Sequence, residues 1–128
     1  MKILNYTPHE VVLYHPTNTS TDGVRLRLQP GALPVRVFPS MGTIRAENQS
    51  QLHSRIFEEN YPPVTVYRNQ YGTPIGVPED TEGCALIVSA IAAKAMAETH
   101  PNVMCLMPNG LVRDDEGRII GCTSFAII

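Results

Sequence analysis

Asn109-Gly110-Leu111-Val112-Arg113-Asp114-Asp115-Glu116-Gly117-Arg118-Ile119-Ile120-Gly121-Cys122 is the stretch around which the chain is organised. Two short apolar segments flank Asp114-Asp115-Glu116-Gly117, where Asp side chains can bond nearby amides and Gly117 can take the positive φ that a tight reversal needs. The stretch reads as a β-hairpin. Such a hairpin holds Arg113 and Arg118 near opposite ends of one turn, where two guanidinium groups can close on a single anion as a phosphate clamp. The plainer alternative is that both arginines are solvated and pair with Asp114, Asp115 or Glu116.

Working outward from the hairpin, Val103 to Leu106 and Arg118 to Ile128 read as the other closing strands. Phe125-Ala126-Ile127-Ile128 is apolar enough that it is expected to be paired or covered. Upstream, Ser89 can cap a helix over about Ala90 to Thr99, with Pro101 ending it. The alanines of that helix suit either a subunit interface or close packing on its own sheet. Ala85 to Val88 is a continuous apolar strand expected to be buried on both faces. Val64 to Arg68, β-branched and aromatic, gives the strongest strand signal. Between Tyr71 and Gly83, repeated prolines predict a long connection. Glu47 to Asn60 is polar around isolated Leu52, Ile56 and Phe57, and supports a strand excursion or a short helix equally. Thr43 to Ala46 reads as a short strand, Val35 to Phe38 as an extended segment, and Val24 to Leu28 as a half-buried strand in strict alternation, its arginines solvating the outer face. Pro16 to Gly23 is a polar loop, Val11 to Tyr14 a strand, and Asn5-Tyr6-Thr7-Pro8-His9 a turn in which His9 serves as a structural cap. Many short strands with one helix define an α+β fold with a mainly antiparallel sheet in a single domain, 1–128.

A formal charge of −2 and a pI near 6.0 argue against duplex nucleic acid, which attracts proteins with a broad basic face. Eight arginines against two lysines favour recognition of a small anion, because arginine grips phosphate or carboxylate with a planar fork of donors. The three cysteines, Cys84, Cys105 and Cys122, lie in apolar surroundings and read as buried reduced thiols. A signal peptide and an apolar membrane run are both missing, which predicts a soluble, cytoplasmic protein.

His9, His15, His53 and His100 lack metal-ligand spacing, and the chain has neither a Gly-Lys-Ser/Thr phosphate loop nor a Gly-x-Ser-x-Gly elbow. No metal and no cofactor is therefore expected. A Cys84 or Cys105 pair with His9 is the one catalytic arrangement left open, though apolar burial suppresses a thiolate.

Four motifs in order carry a resemblance. Asn-x-Thr-Pro-His-x-Val stands at Asn5 to Val11, Tyr-Gly-x-x-x-Gly-x-Pro at Tyr71 to Pro78, Ile-Val-Ser-Ala at Ile87 to Ala90, and Val-Arg-Asp-x-x-Gly-x-Ile-Ile-Gly at Val112 to Gly121. On these the chain is similar to small phage and prophage proteins, and resembles the first Thoeris anti-defence family of phage sponges. That resemblance implies binding of a cyclic ADP-ribose isomer, the signal made by bacterial TIR-domain proteins, without cleavage and inside the infected host. It also implies a homo-oligomer built from dimers, with a hexamer as a candidate size, and cyclic oligonucleotides as further ligands. The chain departs by extra length at Pro16 to Pro34 and Asn48 to Asn60.

For such a ligand Arg113 is the first choice for the pyrophosphate and Arg118 the second. Asn109 and Asn102 can meet adenine or ribose, Met107 and Leu111 can cover the base, and Arg45 with Arg68 are candidates for a second anion site near a symmetry axis. The competing readings are a module that binds a host protein and a small nucleotide-processing enzyme.

Overall fold

The computed structural model describes residues 1–23 and 25–128. In chain order its strands are β1 (Lys2–Asn5), β2 (Val11–Leu13), β3 (Thr19–Thr21), β4 (Leu26–Leu28), β5 (Arg36–Phe38), β6 (Asn48–Ile56), β7 (Val64–Tyr71) and β8 (Cys84–Ile87). The helix α1 (Ala90–Met96) follows, then β9 (Val103–Leu106), β10 (Leu111–Arg113), β11 (Ile119–Cys122) and β12 (Phe125–Ala126). The class is α+β, with sheet predominating over a single α-helix among the described residues. The strands form a four-stranded sheet, β1-β8-β9-β12, a six-stranded sheet, β3-β4-β10-β11-β2-β5, and a separate two-stranded ribbon of β6 and β7. Antiparallel ladders are joined by parallel ones, β1 with β8, β8 with β9, β4 with β10 and β2 with β11.

The four-stranded sheet is the middle layer because it is apolar on both faces. Leu86 and Val88 pack with Val103 and Cys105 against Ala92, Ala93 and Met96 of α1. Their neighbours along the strands, Ile87, Met104, Leu106 and Phe125, turn the other way and meet Val11, Leu13, Phe38 and Cys122 of the six-stranded sheet. Period-two alternation explains how one short strand serves two cores. Phe38 and Phe125 close the second core edge-to-face, with ring centroids 6.1 Å apart.

Asn5 joins the two sheets. It ends β1, where it pairs with Ile87, and its side chain is buried among backbone groups of the next turn and of β5. Its Nδ2 donates to the carbonyls of His9 at 2.8 Å and Phe38 at 3.0 Å, and its Oδ1 accepts from the Thr7 amide at 2.9 Å and the Thr7 hydroxyl at 2.7 Å. The Asn-x-Thr-Pro-His turn is thus closed by the asparagine, and His9 supplies a carbonyl rather than a side-chain cap.

Other local expectations shift where tertiary contacts compete. Thr43 to Ala46 is not a strand; Arg45 makes one bridge, exchanging backbone hydrogen bonds of 2.9 and 2.8 Å with Ile75. Pro16–Asn18 winds as a 3-10 turn and Thr19–Thr21 pairs with β4, so the polar loop holds a strand. Val24, expected to open β4, lies outside the described residues. Within Glu47 to Asn60 the strand β6 forms over Asn48–Ile56, and a turn follows at Glu59 and Asn60. Ser89 caps α1 by accepting from the Ala92 amide at 3.2 Å, but the helix ends at Met96, whose carbonyl takes the amides of Thr99 and His100 in a tightening turn. Phe125 and Ala126 pair with β9 as expected, whereas Ile127 and Ile128 remain exposed because the ladder stops at Ala126.

Replacing Asn5 by Ala is expected to lower stability by about 2 kcal/mol, since the Phe38 carbonyl loses its buried donor and the Thr7 amide its acceptor. Urea denaturation measures this, and a loss under about 1 kcal/mol would show that the amide is not what holds the sheets together.

Candidate functional site

The β10–β11 hairpin forms as the sequence implies. Leu111 pairs with Cys122, Val112 with Gly121 and Arg113 with Ile119, with a bulge between Val112 and Arg113. Asp114 builds the turn. Its Oδ1 accepts from the amides of Glu116 and Arg118, both at 2.9 Å, and its backbone amide donates to the Arg118 carbonyl at 2.9 Å. Gly117, at φ +82°, completes the reversal where a β-carbon would be strained.

Four arginines surround this turn, and the structure gives them different tasks. Arg118 lies on the outer side, 72 % exposed, bonded to Asp114 at 3.0 Å and Glu116 at 2.9 Å. Arg27 reaches across from β4 to Asp115 and Asp22, both at 2.8 Å, and donates to the Asp114 carbonyl at 3.2 Å. The Asp22 hydrogen bond is the main cause that raises its pKa. Arg113 is half-buried and donates to the Gly117 carbonyl at 2.8 Å. Arg25 stands over the same glycine, its Nη1 3.1 Å from where a β-carbon on Gly117 would be. Among the described residues neither Arg25 nor Arg113 forms an ion pair. Two guanidinium groups without an ion pair among the described residues therefore flank one glycine.

Beside them opens a cleft of about 540 Å³, lined by Thr21, Arg25, Leu26, Pro108, Asn109, Leu111 and Arg113. The parallel pairing of Val112 with Leu26 places β4 against β10 and so brings Arg25 to Arg113. The 3-10 turn Pro108–Gly110 carries Asn109 to the rim. Gly110 is buried there, and a β-carbon on it would fall 2.8 Å from the Ser124 Oγ and 2.9 Å from the Thr123 Oγ1, so the close approach suits glycine. A second, more apolar cleft of about 440 Å³ shares Pro108 and Leu111 and runs past Val11, Val88, Leu106 and Ile119.

Of the eight residues singled out from the sequence, Asn109, Leu111 and Arg113 meet at one cleft. The other five stand elsewhere. Arg118 is held by its acids. Asn102 borders a different cleft whose lining includes Glu79, Asp80 and Glu82, a setting hostile to anions. Met107 precedes the 3-10 turn and lines neither of the adjoining clefts. Arg45 edges an apolar cleft with Ile44, Ile75 and Ile91, and Arg68 is exposed on β7 opposite Gln51. Arg25 and Thr21 were missed. The signal for Arg25 in the sequence is its alternation with Arg27 across Leu26, which by itself assigns both to solvent.

Cys105 and His9 border the apolar cleft together, and Cys84 borders the acidic one with His100, with no Cys–His hydrogen bond in either place among the described residues. Burial pushes the Cys122 thiol pKa up. Among the described residues no group of three or more His, Cys, Asp and Glu side chains gathers to hold a metal. No helix there is long and apolar enough to cross a membrane. No family model, curated protein or solved structure matches the chain.

The Arg118 amide, followed by the Arg118 side chain, the Glu116 amide and the charge of Arg118, holds the Asp114 carboxyl below the usual carboxylate range. A depressed folded pKa means that Asp114 stabilises the hairpin fully above the unfolded value and loses that effect as pH falls through the folded one. Thermal melting is therefore expected to show Tm falling as the solution is acidified below about pH 4, with Asp114→Asn lowering Tm at neutral pH and flattening that acid dependence. An unchanged acid profile in the variant would remove Asp114 from this role.

Proposed function

We propose that the protein is a phage anti-defence sponge that binds and sequesters a cyclic nucleotide signal, a cyclic ADP-ribose isomer first, without turning it over. The observation that carries this reading is the convergence of Arg25 and Arg113, both lacking an acidic partner among the described residues, on one side of a cleft with Asn109 and Leu111. A pyrophosphate matches two guanidinium forks better than any other part of such a ligand. Asn109 offers both a donor and an acceptor to an adenine edge or a ribose hydroxyl. Pro108 and Leu111, shared with the apolar cleft, offer the flat base a place against apolar surface. A volume of about 540 Å³ lies within the range of small-ligand sites, about 300–1,000 Å³. Arginines hold their protons at neutral pH, so they suit retention of an anion rather than proton transfer.

The choice of anion site differs from the sequence expectation in its second member, with Arg25 in place of Arg118. Calorimetry with cyclic ADP-ribose isomers is expected to show tight binding by the wild-type chain and roughly 10- to 100-fold weaker binding for Arg113→Ala and for Arg25→Ala, the effect of losing one charge-assisted contact. Arg118→Ala is expected to bind within about threefold of wild type, because its side chain is turned to Asp114 and Glu116. Chromatography after denaturation should recover the nucleotide intact. Absence of heat with every isomer removes the proposal, and a cleaved product replaces it with an enzyme.

A further inference from the structure

The outer edge of the four-stranded sheet stays open for part of its length. β1 is the terminal strand there and runs parallel to β8. The amides of Lys2 and Tyr6 donate to the carbonyls of Gly83 and Ile87, at 3.0 and 2.8 Å, so by alternation Ile3 and Asn5 turn their backbone groups the other way. On that side Asn5 is covered, because its carbonyl accepts from the Met41 amide at 2.8 Å in a parallel bridge with Ser40. One step back in the same register, the Ile3 carbonyl would need the amide of Pro39, which proline lacks. The pairing therefore stops at Asn5, and between β1 and β5 there remains a cleft of about 200 Å³ whose lining includes Lys2, Ile3, Arg36, Phe38, Pro39 and Met41.

We propose that this edge docks an extended acidic segment of another protein, added to β1 as a further strand. The cleft is smaller than the usual small-ligand site of about 300–1,000 Å³, and suits a strand laid along the edge rather than an enclosed molecule. Charge selects the occupant. The chain has more acidic than basic residues, yet no acid lines this cleft, whereas Lys2 and Arg36 both do and neither forms an ion pair among the described residues. Arg36 is held in place over Phe38, its guanidinium carbon 4.5 Å from the ring centroid. Exposed cations and a proline keep basic and neutral strands off a sheet edge, and the same cations admit a segment of opposite sign.

The placement of the two cations also sets the spacing of the acids. Leu4 packs with the core under α1 and Ile3 with the core between the sheets, so Lys2 shares the helix-side face of β1 with Leu4. Arg36 shares its face of β5 with Phe38, which belongs to the core between the sheets. The strand added to β1 therefore meets Lys2 on one of its faces and Arg36 on the other. Successive side chains of a strand alternate between faces, so two adjacent carboxylates reach one cation each, while two carboxylates separated by one residue crowd the same face. Backbone pairing at Ile3 supplies attachment and the carboxylate pair supplies selection. The edge is independent of the Arg25–Arg113 cleft.

Fluorescence polarisation of the full chain with a labelled, end-capped peptide of two adjacent glutamates flanked by valines tests this. Saturable binding is expected. Separating the glutamates by one valine, or replacing both by lysine, should weaken it by about fivefold or more, as should Lys2→Glu or Arg36→Glu in the protein. The double variant Lys2→Glu with Arg36→Glu should prefer the lysine peptide while keeping the wild-type Tm, both side chains being exposed. Methylating alternate backbone amides of the peptide should abolish binding for one of the two alternate sets and spare it for the other, because only one edge of the added strand pairs with β1. Absence of saturable binding, equal affinity for adjacent and separated glutamates, or indifference to both methylated sets would each overturn the proposal.

Discussion

A single buried side-chain amide ties the architecture together. Asn5 ends a strand of one sheet, turns the chain through Thr7 and His9, and holds the Phe38 carbonyl of the other sheet. All four of its hydrogen-bonding positions are used, so the amide is buried without an unpaired group. The constraint is severe because aspartate lacks the donors, glutamine changes the reach, and an apolar residue would remove the buried donor to the Phe38 carbonyl. The two cores then form on opposite faces of the sheet that Asn5 terminates.

That framework sets where the charged hairpin stands. Because β4 runs parallel to β10, Arg27 of β4 and Arg25 just before it come beside the acidic turn, and the acids are divided unequally among the nearby cations. Asp22 and Asp115 take Arg27, and Asp114 and Glu116 take Arg118. Arg25 and Arg113 keep their charge uncompensated among the described residues, turned toward Gly117 and the adjoining cleft. Of the two readings of the hairpin arginines, pairing with the turn acids holds for Arg118, whereas Arg113 has no acidic partner among the described residues and donates to the Gly117 carbonyl instead.

The ribbon follows a different logic. A strand signals itself by alternation only where one face is buried, and β6 has no buried face. Its polar run with scattered Leu52, Ile56 and Phe57 consequently looks the same as an irregular segment. Its regularity comes from β7, whose Val64 and Tyr67 favour extended geometry, and from the pairing itself. The ribbon in this way carries exposed apolar residues, Leu52, Ile56, Phe57, Tyr61, Val64 and Tyr67, that its own pairing does not cover.

Local chemistry was enough to establish that the molecule is α+β, that Ser89 starts a helix, that 109–122 is a hairpin with Asp114 and Gly117 at its turn, and that Asn109, Leu111 and Arg113 lie close together. Those features depend on neighbours within a few residues, or on an apolar period that two covered faces impose. Tertiary structure alone decided that Arg25 rather than Arg118 accompanies Arg113, that Asn102 faces acids, and that Arg45 belongs to a separate apolar cleft. The reason is physical. Which arginine stays unpaired depends on which acids arrive beside it, and the pairing of β4 with β10 joins residues more than eighty positions apart, a distance over which sequence periodicity carries no information.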